Sequence, residues 1–132
     1  MLVLDDFNQL ILIPSFKGIK GVAVKKIMYC EAYGNYTKIF LPDSSFTTNL
    51  SLKHVEQVLP SKYFFRCHKS FIMNFMHFSE LYISEDIIHL DSKAIVKLSK
   101  HKKRDFVSQL NAFVTENNAK MTVGNENLTT HH

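Results

Sequence analysis

The segment FRCHKSFIMN, residues 65–74, has the residue types in this chain that are best suited to bind a ligand. It places Arg66, His68, Lys69 and the hydroxyl of Ser70 between aromatic and aliphatic neighbours. These polar positions follow neither the periodicity of an amphipathic helix nor the alternation of a half-buried strand. We therefore expect a rigid turn in which Arg66, His68 and Ser70 brace the backbone while Lys69 points into solvent.

A second ligand-binding candidate is KHKKR, residues 100–104, at the predicted start of the last helix. A helix N-terminus is already positive, so each exposed cation there is unfavourable by ~0.3–1 kcal/mol. A bound anion such as a phosphate would account for this placement, because free backbone N–H groups point at the same spot. Lys97 belongs to the same basic run, since residues 93–104 contain no acid. A solvated basic face without a ligand is the alternative, and the residues alone leave both open.

A third candidate is GNYTK, residues 34–38, where glycine and asparagine predict a turn between two strands. Asn35, Tyr36 and Lys38 are side chains that can contact bases or phosphates of a nucleic acid. An ordinary hairpin turn explains the same residues equally well.

The chain lacks the residue patterns of a catalytic or metal-binding protein. Cys30 and Cys67 lie among apolar neighbours, which predicts two buried free thiols. The adjacent side chains of Cys67 and His68 point apart in an extended segment, which argues against a nucleophilic pair. Metal-ligand spacing is absent among His54, His68, His77 and His89. We predict no enzymatic activity, no metal site and no cofactor, and retain a Cys-dependent enzyme as a third hypothesis.

Length and composition predict one mildly basic domain. A chain of 132 residues can bury one substantial core. Its formal net charge is +4 and its pI is about 9.1. No apolar run approaches the ~18 residues of a membrane span, and the first charges, Asp5 and Asp6, are acidic, unlike those of a secretory signal. We therefore expect a cytoplasmic protein that does not insert into a membrane.

The predicted elements are short strands followed by one long helix. Strand formers bounded by turn residues predict strands at 10–13, 18–24, 27–32, 36–41, 46–48, 81–83, 87–90 and 94–98. Ser51 is predicted to cap a short helix that ends before Pro60. The last helix, capped by Ser99, has an apolar stripe formed by Phe106, Leu110 and Phe113. The fold class is therefore mainly β, with two helices and a chain built largely from hairpins.

Four segments resemble motifs of the LytTR family of bacterial DNA-binding domains, the output modules of many response regulators. IMYCEAYGNYT, residues 27–37, looks like the family's I-x-Y-I-E-A-x-G-N-Y-T, and residues 50–59 look like its short helix. Residues 65–74 are similar to F-x-R-x-H-[KR]-S-[YF]-I-V-N, and VKLSK, residues 96–100, resembles V-x-[VL]-S-[RK]. The match runs from about residue 13 to residue 114, with the segments in the family's order.

The resemblance implies an elongated stack of small antiparallel β-sheets that binds duplex DNA through loops. Carried over by motif position, Lys69, Asn35 and Lys100 are expected to contact bases. Lysine at position 100 replaces a frequent arginine, which puts bidentate guanine reading in doubt. The expected phosphate contacts are Tyr36, Lys38, Lys97, Lys102, Lys103 and Arg104.

We expect three parts: an N-terminal strand or linker end at residues 1–13, the LytTR-like domain at 14–116, and a polar, flexible tail at 117–132. The expected partners are promoter DNA with repeated half-sites and, beyond DNA, a receiver domain or a second copy of the chain. A small β protein-interaction module, whose basic patch meets an acidic partner, is the alternative from another functional class.

Overall fold

The computed structural model describes residues 8–121, which form three antiparallel sheets and two α-helices. The strands are β1 (Leu10–Ser15), β2 (Gly18–Ala23), β3 (Tyr29–Tyr33), β4 (Tyr36–Phe40), β5 (Ser45–Thr48), β6 (Phe64–His68), β7 (Phe71–Asn74), β8 (Phe78–Tyr82), β9 (Ile87–Leu90) and β10 (Ile95–Lys97). The helices are α1 (Leu52–Val58) and α2 (Lys103–Met121). The predicted class, mainly β with two helices, is confirmed.

A five-stranded sheet in the order β5-β4-β3-β7-β6 forms the centre of the fold. The β1–β2 hairpin packs near β5, and the third sheet has the order β10-β9-β8. Hydrophobic residues form two cores, one on each side of the central sheet. The first core joins β1, β2 and α1 to the sheet, and the second joins β9, β10 and α2 to β6 and β7. Strand β7 is therefore buried on both faces.

The segment 65–74 is a β-hairpin, whereas its polar spacing predicts only a rigid turn. Phe64 pairs with Asn74 and His68 with Phe71, so that Lys69 and Ser70 alone connect the strands. The register shifts between Phe65 and His68, which breaks the side-chain alternation of β6. Both faces of these strands are also buried, so apolar residues do not alternate with polar ones. The sequence pattern typical of a half-buried strand is therefore absent from this segment.

The two helices begin differently from each other. Ser51 caps α1 as predicted, because its hydroxyl accepts a hydrogen bond from the backbone N–H of His54. The predicted cap at Ser99 is wrong in its chemistry, since the Ser99 side chain makes no capping hydrogen bond. Instead, a 3₁₀ turn at Lys100–Lys102 precedes α2, and the Ser99 carbonyl accepts from the N–H of Lys102.

Two predicted boundaries fall inside elements of the structure. The boundary between residues 13 and 14 lies within β1, whose Ile11 and Ile13 are buried in the first core. Helix α2 continues through residues 117–121, where the sequence predicts the start of a tail. The predicted segments at residues 1–7 and 122–132 lie outside the described residues.

Asn74 is the fully buried polar side chain that closes the hairpin motif. Its Nδ2 donates to the Ile27 carbonyl at 2.8 Å, and its Oδ1 accepts from the Met76 N–H at 2.9 Å. A buried polar group must be hydrogen-bonded to be tolerated, and Asn74 satisfies two backbone groups from different segments. The asparagine therefore fixes β7 to the turn that precedes β3.

Replacing Asn74 with alanine should destabilise the protein markedly. The variant Asn74→Ala leaves a buried carbonyl and a partly buried N–H without partners, so we expect a loss of about 2–4 kcal/mol in the free energy of unfolding. Urea denaturation measures the loss. The exposed Asn49→Ala is the matched control and should change stability by less than about 0.5 kcal/mol. Equal effects of the two variants would show that the Asn74 hydrogen bonds are not structural.

Candidate nucleic-acid interface

The antiparallel order of the central sheet brings two of the predicted sites to the same end. Residue Tyr33 pairs with Tyr36, and Glu31 pairs with Phe71. The end of β3, the start of β4 and the start of β7 therefore lie side by side. The Ala32 N–H donates to the Ser70 carbonyl at 2.9 Å, which fastens the β3 end to the β6–β7 turn.

The third predicted site lies beside the same end of β6. The Ser99 N–H donates to the Cys67 carbonyl at 2.8 Å, and the Leu98 N–H donates to the Asp86 carbonyl at 2.9 Å. These bonds hold the loop that follows β10 against both the central sheet and the turn between β8 and β9. We call the three segments 33–36, 68–71 and 98–102, together, the loop surface. Lys93, from the same basic run, lies in the β9–β10 turn at the other end of the three-stranded sheet.

Arg66 holds the β6–β7 turn closed. Its Nε donates to the His68 carbonyl at 3.0 Å, and one terminal nitrogen donates to the Lys69 carbonyl at 2.7 Å. The other terminal nitrogen pairs with Glu56 on α1 at 3.1 Å. The planar guanidinium thus bonds two consecutive carbonyls where the turn begins, which fixes the backbone from which the exposed Lys69 side chain projects.

His68 is held in its neutral form inside the loop surface. Its Nδ1 accepts the Ser70 N–H at 3.1 Å, which places the ring proton on Nε2. Desolvation, and then the positive charges of Lys97, Lys69 and Arg66, lower the pKa of His68. His68 lines two adjoining grooves, one of which is also lined by Lys69 and Lys102 and the other by Lys97 and Lys100.

Lys102 and Lys103 have protein partners, which the sequence alone did not indicate. The Lys102 ammonium donates to the Arg66 carbonyl at 2.8 Å and lies 5.8 Å from the centre of the Phe65 ring. The Lys103 ammonium donates to the Ile83 carbonyl at 2.8 Å and pairs with the Asp86 carboxylate. These two cations therefore fasten the start of α2 to the two sheets. Their unfavourable position near a helix N-terminus is offset inside the protein, without a bound anion.

The first segment of the loop surface is a tight turn between β3 and β4. Gly34 has φ = +59°, a conformation that glycine adopts without strain, and Asn35 and Tyr36 beside it are exposed. Lys38 lies across aromatic rings, with its ammonium 5.6 Å from the Tyr33 ring centre. Thr37 donates its buried hydroxyl to the Leu50 carbonyl at 2.8 Å, which anchors the turn to the start of α1.

The remaining predicted contact residues are free to meet a ligand. Lys69, Lys97, Lys100 and Arg104 are exposed, and none forms an ion pair with another described residue. Glu85 is an exposed acid at the edge of this surface, beside Asp86, which Lys103 already neutralises. Sequence reasoning missed Glu56 and Asp86, because no local spacing indicates that either acid meets a cation at the loop surface.

Neither cysteine has the properties of a nucleophile. Both thiols are free and buried. Burial raises the pKa of Cys67 to about 12 and raises the pKa of Cys30 further. No group of three His, Cys, Asp or Glu side chains suited to a metal ion occurs within residues 8–121. No helix in that range is long and apolar enough to cross a membrane.

A comparison with models of protein families identifies the family of this chain. The model of the LytTr DNA-binding domain matches residues 17–111, well over half of the chain. The chain belongs to the LytTR family of DNA-binding domains. One similar solved structure is the LytTr DNA-binding domain of a protein described as a methyl-accepting/DNA response regulator from Bacillus cereus. It is 28% identical, with a TM-score of 0.67, and the match covers 76% of this chain and 95% of that one.

A comparison with curated proteins finds no match. The LytTR family model covers all three segments of the loop surface, from 33–36 to 98–102. It does not include β1, which begins at Leu10. β1 nevertheless pairs with β2 along its whole length and contributes Ile11 and Ile13 to the first core.

Removing the ammonium of Lys102 should weaken the DNA-free protein. Lys102→Met keeps an apolar stem beside Phe65 but leaves the Arg66 carbonyl without its charged donor, so we expect a loss of about 1–2 kcal/mol in the free energy of unfolding. Urea denaturation measures it. Lys100→Met is the control, because Lys100 is exposed and should change stability by less than about 0.5 kcal/mol. A Lys102 variant as stable as wild type would indicate that the bond to the Arg66 carbonyl contributes nothing.

Stability should fall on acidification through His68. Because its folded pKa is lowered from the ordinary value of about 6.5, the unfolded chain takes up the proton first as the pH falls. The contribution is therefore complete above pH ~6.5 and is lost as the pH drops from there through the folded pKa. Urea denaturation from pH 7.5 to pH 5 should show a steeper loss for wild type than for His68→Asn. Parallel curves would contradict the assignment.

Proposed function

We propose that this chain is the sequence-specific, duplex-DNA-binding output domain of a bacterial transcriptional response regulator. It acts in the cytoplasm by binding and not by catalysis, and it reads successive major grooves with the segments of the loop surface. The observation that carries this proposal is the convergence of three turns, two of them basic, at one end of a rigid sheet, where Arg66 and Lys102 fix the backbone. Family membership favours DNA over the acidic protein partner of the alternative hypothesis.

The width of the loop surface suits a duplex. Neighbouring strands lie about 4.8 Å apart, so a row of turns along a five-stranded sheet extends about 20 Å. Segment 98–102 lies outside β6 and lengthens the row. This span exceeds half of the ~34 Å helical turn of B-DNA, which lets the two ends of the row approach different grooves. Repeated half-sites would then be read by two copies of the domain, each joined to a receiver domain.

The proposed roles divide between reading bases and holding phosphates. Lys69, Asn35 and Lys100 project from turns and are the proposed base contacts. Lys97 and Arg104 are exposed cations that form no ion pair within residues 8–121, and we assign them the main phosphate contacts together with Tyr36 and Lys38. Lys102 and Lys103 position the loop, and each ammonium retains at least one N–H donor for a phosphate.

Base contacts and phosphate contacts should differ in how they affect the sequence preference and the salt dependence of the affinity for duplex DNA. For wild type, log K should fall with log salt by ~0.9 for each neutralised phosphate. Lys69→Ala should cost about 1–3 kcal/mol on a selected site and far less on random duplex. Arg104→Ala should weaken both equally and lower the slope by about 1. Fluorescence anisotropy with a site selected from a random duplex pool measures these effects.

The control is Lys26→Ala, an exposed lysine beside Pro42 at the opposite end of the sheet, which should bind as wild type does. Wild-type protein that fails to bind any duplex at low salt would refute the proposed function. Binding that Lys26→Ala weakens as much as Lys69→Ala would refute the assignment of the loop surface.

A further inference from the structure

The tip of the β1–β2 hairpin reaches the loop surface. Phe16 lies in the turn between these strands, and its ring meets the Tyr36 ring edge to face, with centroids 5.2 Å apart. Tyr36 follows Asn35 in the first segment of the loop surface. Phe16 is 65% exposed in spite of this contact, so most of the ring faces solvent. The hairpin tip thus extends the exposed row of turns by one further element.

The tip carries an unpaired positive charge. Lys17 is exposed and forms no ion pair with any described residue. Residues 8–30 contain four lysines and no acid, so nothing nearby in the chain neutralises it. Lys20, on the same hairpin, instead lies against the Phe46 ring at 5.4 Å. Lys17 is therefore the cation that the hairpin presents beyond Tyr36.

The tip is held in place by the core and by its own turn. Ile11, Ile13 and Val22 anchor both strands in the first core. At the tip, the Ser15 hydroxyl donates to the Gly18 carbonyl at 3.3 Å, and Gly18 has φ = +147°, which a residue with a side chain rarely adopts. A cation on such a fixed turn loses little conformational freedom when it binds.

We propose that the β1–β2 tip is a fourth DNA-contacting element, in which Lys17 binds a backbone phosphate next to the groove that Asn35 enters. The exposed Phe16 ring lies against the neighbouring sugar and orients the tip through its contact with Tyr36. This inference rests on the proposed function and adds to it a contact from a segment at and before the edge of the family match, which begins at residue 17. The contact is to the phosphate backbone and carries no sequence preference.

The test compares Lys17→Ala with Lys26→Ala, an exposed lysine at the far end of the sheet. Anisotropy titrations over a range of salt concentrations should give a slope smaller by ~0.9 for Lys17→Ala and an unchanged slope for Lys26→Ala. The ratio of specific to random-duplex affinity should stay at the wild-type value for both. Thermal unfolding of each variant shows that the fold is intact, since both positions are exposed.

Hydroxyl-radical footprinting supplies an independent readout. Wild-type protein should protect backbone sugars on one flank of the site, and Lys17→Glu should lose protection there while retaining it at the centre. If wild type binds, and the Lys17 variants keep both its salt slope and its protection of the flank, this inference is overturned and the proposed function stands. Absence of any wild-type binding would overturn both.

Discussion

The hydrogen bonds around Arg66 are the interaction on which the loop surface depends. Its side chain closes the β6–β7 turn through two carbonyls and reaches Glu56 on α1, while its own carbonyl receives the Lys102 ammonium. One residue thereby links the first helix, the edge of the central sheet and the start of the second helix. Charge-assisted hydrogen bonds of this kind are stronger than neutral ones, and several made by one planar group fix direction as well as distance. Lys69 can present its charge at a defined place because of that frame.

The basic residues near the loop surface are of two kinds: some bond to other groups of the protein, and others remain exposed. Lys102 and Lys103 are bound to carbonyls and to Asp86, which removes most of the electrostatic cost of cations at a helix start. Lys69 and Lys97 remain exposed. Desolvation is the largest cause of the lowered pKa of His68, and the charges of Lys97, Lys69 and Arg66 lower it further. A polyanion laid across this surface would relieve the repulsion among those charges. Because these positive charges repel one another in the free protein, the arrangement favours the binding of an anionic ligand.

Local signals in the sequence predicted local structure well. The Ser51 cap, the positive φ of Gly34 and the succession of hairpins follow from the residues within a few positions of each feature. The β6 and β7 strands escaped prediction because both faces are buried and a bulge shifts the register. The partners of Lys102 and Lys103 lie 36 and 20 residues away, so no spacing indicates them. Long-range contacts thus give Lys102 and Lys103, two predicted phosphate ligands, a further role in holding the loop, and the motif match alone led to the family.

The central claim is that one end of the molecule binds DNA, and an NMR titration tests it most directly. Duplex DNA is added to ¹⁵N-labelled protein, and the amide shifts are followed residue by residue. We predict that the largest changes occur at Asn35, Lys69 and Lys100, while Lys26 and Asp43 at the opposite end of the central sheet stay unchanged. Changes concentrated at Lys26 and Asp43, or changes of equal size at both ends, would contradict the account.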